Sequence, residues 1–398
     1  MIRQQQQQQQ QQQPGRAVSA AVADPLGPGE RRPRVAIIGT RGYPSHYGGF
    51  ETAVRRLAPA LADAGWDVTV YGRPGATTAD GADPRIVRRE TRGLETRSLS
   101  TLTYGFTATA DAVRRRPDVV LVMNCANGFW LPLLRWRGVP TLVNVDGIEW
   151  ERAKWGRLAR AVFRAGAVAT ARWADRIVCD AREIERRWRD EFGVEGVFVP
   201  YGADAPDAST AELAEADSAL VPGGYVLFVA RFVPENTVAE FVAAAELIAR
   251  RHPVVIVGTS GYGGALDERV ADLAARSPNV EHLGHLRDDR RLFALWRNAG
   301  VYFHGHSVGG TNPALVQAMT CGAPVVARDT VYNREVLGET GVFVAPEPGE
   351  IARAVVGLLD DPTRRADLGA AARRRARRHY AWSDVCAAYE SRLRELLG

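Results

Sequence analysis

At 398 residues the chain exceeds what one ordinary hydrophobic core supports, so two domains are expected. Hydrophobic residues make up 46% and charged residues 24%, the balance of a soluble globular chain, and no apolar run approaches the ~20 residues that cross a bilayer. The net charge of +5 sets 51 basic residues against 46 acidic ones, which suits anionic substrates or an anionic membrane surface without requiring nucleic acid.

Residues 1–33 hold a glutamine run (Gln4 to Gln13) and a Pro/Gly/Ala stretch ending at Pro33. Nothing there can bury apolar surface, so a disordered tail is expected. Polyglutamine is also no secretory signal. Order is expected from RVAIIG (Arg34 to Gly39), an apolar run suited to a buried parallel strand. A glycine-rich loop, Thr40 to Gly49, leads into a helix over Phe50–Ala64 closed by Gly65. Strand Asp67–Gly72, a helix around Tyr104–Arg115 and strand Asp118–Asn124 follow, then strands Thr141–Gly147, Asp175–Asp180 and Gly196–Gly202. Strands alternating with helices predict βαβ units and a doubly wound parallel sheet.

Ala203 to Gly224 reads as a connection rich in Ala, Asp, Ser and Pro. The alternation restarts with strand Tyr225–Arg231, helix Thr237–Arg250, strand Pro253–Gly258 and helix Gly264–Arg276. Strand VEHLG, helix Asp288–Asn298, strand Val301–Gly305, helix Pro313–Cys321, strand PVVARD and a short segment near GVFV complete it. The expected division is a tail (1–33), an N-terminal half (34–202), a linker (203–224), a C-terminal half (225–370) and terminal helices (371–398) crossing back to the first half. Two Rossmann-like halves leave a ligand cleft between the carboxyl edges of their sheets. The cysteines, Cys125, Cys179, Cys321 and Cys386, lack CxxC spacing, so reduced thiols of a cytosolic protein are expected.

In HGHSVGGTNPALVQAM, Gly309 and Gly310 follow a strand, and Thr311-Asn312-Pro313 opens a helix. Asn312 suits the N-cap and Pro313 the first helical position. Exposed N–H groups beside glycines can take a phosphate or diphosphate. A helix packed after an irregular turn fits the same letters. Arg231 ends the first strand of the second half, where a guanidinium can neutralise a leaving diphosphate. GTRGYPSHYGGFE is neither a dinucleotide fingerprint nor a P-loop, but Gly48 and Gly49 can close over a ligand. Asp146 and Glu149 follow a buried strand, either as proton acceptors or as a cap and first-turn acid. His304 and His306 alternate without further ligands nearby in sequence, so no metal is expected. Arg152, Lys154, Arg157, Arg160, Arg164 and Arg172, interleaved with Trp155, Phe163 and Trp173, suit either an anionic membrane or a solvated helix face.

From Arg34 onward the chain resembles bacterial glycosyltransferases of family 4, with the GT-B architecture. It is most similar to the rhamnosyltransferase-like branch of cell-surface polysaccharide assembly. The likeness is carried, in order, by GTRGYPSHYGGFET, VDGIEWERAKW, VPYGAD, VARFVPEN, HGHSVGGTNPALVQAM and YNREVLGE. It implies a nucleotide-sugar donor as substrate with no cofactor or metal, a saccharide or lipid-linked acceptor on the N-terminal half, and retention of configuration. By position, Gly309 to Asn312 and Arg231 would hold the diphosphate, and Gly258 with Gly284 to Leu286 the base. Gln317 falls where relatives bind ribose with a glutamate, Asp146 near the acceptor, and Gly48-Gly49 on the closing loop. Gly309 and Gln317 replace the paired glutamates of the broader family, and Glu235-Asn236 replaces a lysine. Weaker donor affinity is expected from Gln317, since an amide forgoes the charge-assisted bond. The expected location is cytoplasmic, at the inner face of the plasma membrane. The competing readings are transfer of another hexose, a catalytically silent sugar-nucleotide-binding partner, and nucleic-acid binding, disfavoured because no recognition motif accompanies the basic residues.

Overall fold

A computed structural model describes residues 31–45, 48–77, 81–94, 100–152, 155–205 and 212–398. Most of the expected tail, positions 46 and 47 of the glycine loop, Lys154 and part of the expected linker lie outside the described residues. Arg31 is already anchored, 2.6 Å from Asp118.

The N-terminal half comprises β1 (Arg34–Ile38), α1 (Gly49–Asp63), β2 (Asp67–Gly72), β3 (Val87–Glu90), α2 (Ser100–Arg115), β4 (Val119–Met123), α3 (Leu131–Trp136), β5 (Thr141–Asn144), α4 (Arg157–Trp173), β6 (Arg176–Cys179), α5 (Arg182–Phe192) and β7 (Gly196–Phe198). Its sheet is parallel in the order β3-β2-β1-β4-β5-β6-β7. β3 was not anticipated, because VRRE is a mostly exposed edge strand without apolar alternation.

The C-terminal half comprises β8 (Val226–Val229), α6 (Val238–Ile248), β9 (Val254–Val257), α7 (Ala265–Arg276), β10 (Val280–Gly284), α8 (Asp289–Asn298), β11 (Val301–His304), α9 (Pro313–Cys321), β12 (Val325–Arg328), α10 (Val331–Leu337), β13 (Gly341–Val344), α11 (Pro348–Leu359) and α12 (Pro362–His379). Its sheet is also parallel, in the order β10-β9-β8-β11-β12-β13.

Both sheets are covered on both faces, which explains the continuous apolar runs. Along β1, Val35 and Ile37 enter one core while Ala36 and Ile38 enter the other. Each such valine or isoleucine side chain contributes about 1.5–3 kcal/mol when fully buried. The strand order reverses at β1/β4 and β8/β11, so the loops after these strands line the crevice.

The chain crosses back after α12, not at residue 371. Ala372 and Ala376 belong to the C-terminal core, which holds α12 on that half. The last helix, α13 (Trp382–Glu395), sends Val385, Tyr389 and Leu393 into the N-terminal core. Asn144 donates to the Tyr389 hydroxyl at 2.5 Å, tying that helix to the end of β5. This is a two-domain α/β fold of the GT-B kind.

Candidate functional site

α9 begins where its sequence requires. The Asn312 side chain accepts from the N–H of Ala314 at 2.9 Å, and Pro313 follows at the first position. Gly309 takes φ +96°, a conformation that favours glycine. The loop bears directly on the opposite half: a Cβ on Gly147 would stand 2.6 Å from the Cα of Gly309. A Cβ on Gly49, at the start of α1, would stand 3.5 Å from the Tyr201 hydroxyl and 3.7 Å from Pro313, while Gly48 caps α1 beside Glu51. The glycines of both halves therefore converge on the start of α9.

Arg231, just past β8, is exposed and forms no ion pair among the described residues. Its backbone carbonyl accepts from the Asn236 amide at 2.8 Å. That bond turns the Asn236 oxygen toward His306, so the 2.6 Å contact there is donated by the Nδ1–H of His306. The Nε2 of His306 remains an acceptor, 3.5 Å from where a Cβ on Gly309 would stand. Burial, His304 and the charges of Arg152 and Arg231 hold His306 well below the usual histidine range. Burial lowers His304 to about 3, and its Nδ1 meets the Tyr302 hydroxyl at 3.0 Å. Both imidazoles are neutral near pH 7. Among the described residues no group of three or more His, Cys, Asp or Glu is placed to hold a metal ion.

Gly258 and Gly284 meet at the carboxyl edge of β9 and β10, where the Gly258 N–H donates to the Gly284 carbonyl at 2.7 Å. Gly258 packs against the Ala230 backbone beside Arg231, and Leu286 is half-buried just beyond. These residues share one lip with the loop before α9.

Two expected ligand residues are engaged elsewhere. The Gln317 side chain donates to the Asp204 carbonyl at 3.0 Å and accepts from the Asp204 N–H at 2.9 Å. It thereby clasps the connection between the halves instead of presenting a free amide to a ribose. A carboxylate could not make both bonds, which gives a reason for glutamine here. The Thr311 hydroxyl donates to the Asp180 carbonyl at 2.5 Å and its N–H to the same oxygen at 3.3 Å. In this closed form Thr311 is a bridge across the cleft, not a free anion donor.

On the N-terminal lip, Asp146 has φ +53° and its N–H donates to the Asn144 side chain at 2.9 Å. Asp146 and Glu149 do not stand free. Arg152, only 8% exposed, lies 2.6 Å from Glu149 and 3.6 Å from Asp146. Burial works against its charge, but Glu149, Asp146, Glu235 and Asp180 outweigh that and raise its pKa. Arg152 belongs to the basic run that suits either an anionic membrane or a solvated helix face, but it turns inward, because the turn after β5 is buried. Trp155 donates to Glu149 at 3.2 Å, which fixes that carboxylate further.

Asp180, just after β6, was not anticipated. It is 1% exposed, and burial together with Asp146 pushes its carboxyl well above the usual range. The signal was available: like Asp146, it is an acid at the carboxyl end of a parallel strand. The halves are further joined by Glu335 of α10, which accepts from the first N–H groups of α5 at 2.8 and 3.3 Å.

Residues 47–205 match the model of Glycosyltransferase Family 4, and residues 223–361 that of Glycosyl transferases group 1. A D-inositol 3-phosphate glycosyltransferase of Kineococcus radiotolerans is 30% identical over 83% of this chain and 86% of its own. A phosphatidyl-myo-inositol mannosyltransferase of Mycolicibacterium smegmatis is 35% identical over 52% of this chain and 53% of its own, so the match spans about half of that relative. The solved sucrose-phosphate synthase of Thermosynechococcus elongatus superposes with a TM-score of 0.74 at 21% identity, over 92% of this chain and 99% of its own. With both halves of the cleft matched in order and a full-length relative at this identity, the chain belongs to the family 4 glycosyltransferases.

Proposed function

We propose that the chain transfers a hexosyl group from a nucleoside diphosphate sugar to a hydroxyl of a saccharide or lipid-linked acceptor, with retention and without a catalytic metal. The observation that carries this reading is the Gly309-Gly310 loop opening a capped helix beside Arg231, a cation that no carboxylate neutralises among the described residues. The diphosphate would lie between that helix start and Arg231, with the base along Gly258, Gly284 and Leu286. The acceptor oxygen forms a bond to the anomeric carbon as the sugar–phosphate bond breaks on the same face. Its proton passes to the leaving phosphate oxygen, and the nucleoside diphosphate departs. No strong base is required, in keeping with neutral histidines and with Asp146 and Glu149 tied to Arg152. The closed cleft must open to admit donor and release product.

The motifs favour a 6-deoxyhexose such as rhamnose, whereas the names of the relatives favour mannosyl or other glycosyl transfer onto inositol compounds. A thermal-shift panel of nucleoside diphosphate sugars, followed by product analysis with and without chelator, decides the donor, anomeric outcome and metal requirement. Binding without turnover on every acceptor tried would sink the enzymatic reading in favour of a silent binding partner. Gln317 no longer motivates that alternative, since its bonds to Asp204 account for it.

The acceptor side would rest on an anionic membrane through α3 and α4. Trp136 and Leu158 are 77% and 80% exposed, near exposed Arg135, Arg157, Arg160 and Arg172. No helix among the described residues is long and apolar enough to span a membrane. Sedimentation with phosphatidylglycerol vesicles but not with neutral ones is expected, and L158D should weaken it.

A further inference from the structure

We propose that Asp180 binds hydroxyls of the transferred sugar and helps to set which sugar is accepted. The inference rests on the glycosyl-transfer reading and deepens it by naming a side chain for the sugar. Asp180 is almost wholly buried, and its Oδ1 has no hydrogen-bond partner among the described residues. Such a carboxylate weakens a fold, so its retention calls for a reason other than stability.

Its position supplies one. The Asp180 carbonyl is held by the N–H and hydroxyl of Thr311, which fixes the residue over the loop before α9. A Cβ on Gly310 would fall onto the carboxylate, so glycine at 310 is what leaves room for it. The loop itself, residues 305–312, carries no acid. On the same half the buried Glu235 lies against the loop through its backbone carbonyl, which accepts from Ser307, and the facing half adds Asp180 beside the expected anion site.

Once the diphosphate is taken by the helix start and Arg231, the part of the donor left for Asp180 is the uncharged sugar, whose hydroxyls both donate and accept and so suit a carboxyl in either protonation state. Gly309 is flanked by the His306 Nε2 and by the Arg152 guanidinium, and Gly310 by the Asp180 carboxyl. Donors and acceptors around a loop open to close backbone approach fit a ligand rich in hydroxyls, which is the chemistry of a sugar.

The test compares wild type, D180A and the isosteric D180N by thermal shift and titration. The ligands are nucleoside diphosphates (GDP, UDP, dTDP) and the matching hexose-bearing donors. All three proteins should bind the effective nucleoside diphosphate alike. The gain in affinity that the sugar provides should fall about 10- to 100-fold in D180A and less in D180N. The melting temperature of unliganded D180A should hold or rise, because a buried carboxyl with an unsatisfied Oδ1 has gone. An unchanged sugar-dependent gain in D180A overturns the proposal. So does a fallen melting temperature with equal losses for nucleotide and nucleotide sugar, the signature of a structural residue. Wild-type protein that binds no nucleoside diphosphate overturns the parent reading and this inference together, and is recognised before any substitution is made.

Discussion

Arg231 and Arg152 stand on opposite lips of one cleft, and their surroundings are opposite too. Arg231 sits on a lip made of glycine backbone, a capped helix start and two neutral histidines, and among the described residues no carboxylate pairs with it. Arg152 is buried between Glu149 and Asp146, with Glu235 and Asp180 close enough to strengthen its charge. A guanidinium already neutralised has little left to offer a leaving diphosphate. The exposed one stands open to a ligand, as the proposed function requires, whereas the buried one organises the acids around it. On that proposal the same residue type serves geometry on one lip and ligand charge on the other.

The contrast breaks most readily at Arg152. Arg152→Ala leaves the buried Glu149 without the guanidinium 2.6 Å away and should lower stability by about 3–5 kcal/mol in urea denaturation. A loss below about 1 kcal/mol would mean that the acids do not depend on it. Arg231→Ala should leave urea unfolding unchanged while transfer falls about 10²- to 10³-fold. If both variants lost stability equally, the division of roles would fail.

Gln317→Glu places a carboxylate against the Asp204 carbonyl and removes the amide donor, so about 1–3 kcal/mol of stability should be lost. Gain of donor affinity with unchanged stability would instead restore the ribose role. The smallest effect is a matter of pH, and the lips should titrate in opposite senses. His304 has a folded pKa near 3 against 6.5 ordinarily, so the stability from keeping it neutral is full above 6.5 and lost as pH falls toward 3. Between pH 6.5 and 5.5 the loss should be about 1 kcal/mol, and His304→Gln should flatten it. Asp180 is shifted upward, so its contribution is full below its ordinary value of 3.8 and lost as pH rises through the folded value. Asp180→Asn should remove that decline, and equal slopes in both variants would contradict the assignment.

Much of this was legible in local letters. Buried strands read as apolar runs, and the Asn312-Pro313 start and Gly322 end of α9 fixed that helix to the residue. The place of Arg231 just past β8 was legible because the strand was. The short edge strand β3 was not, since its exposed side chains follow no pattern. Arg152 was misplaced for a similar reason: the sequence shows a basic run, but only the fold of the turn after β5 turns one member inward while Arg157 and Arg160 face solvent.

The sequence by itself determined two wound sheets, the glycine loops at their switch points and the capped helix, because periodicity, capping and turn chemistry act over a few neighbouring residues. Only the tertiary structure decided that Thr311 and Gln317 would bridge the halves and that Asp180 would seat on Gly310. Those partners lie more than a hundred positions apart in the chain, and hydrogen bonds and excluded volume act through space, so no local pattern encodes which will meet.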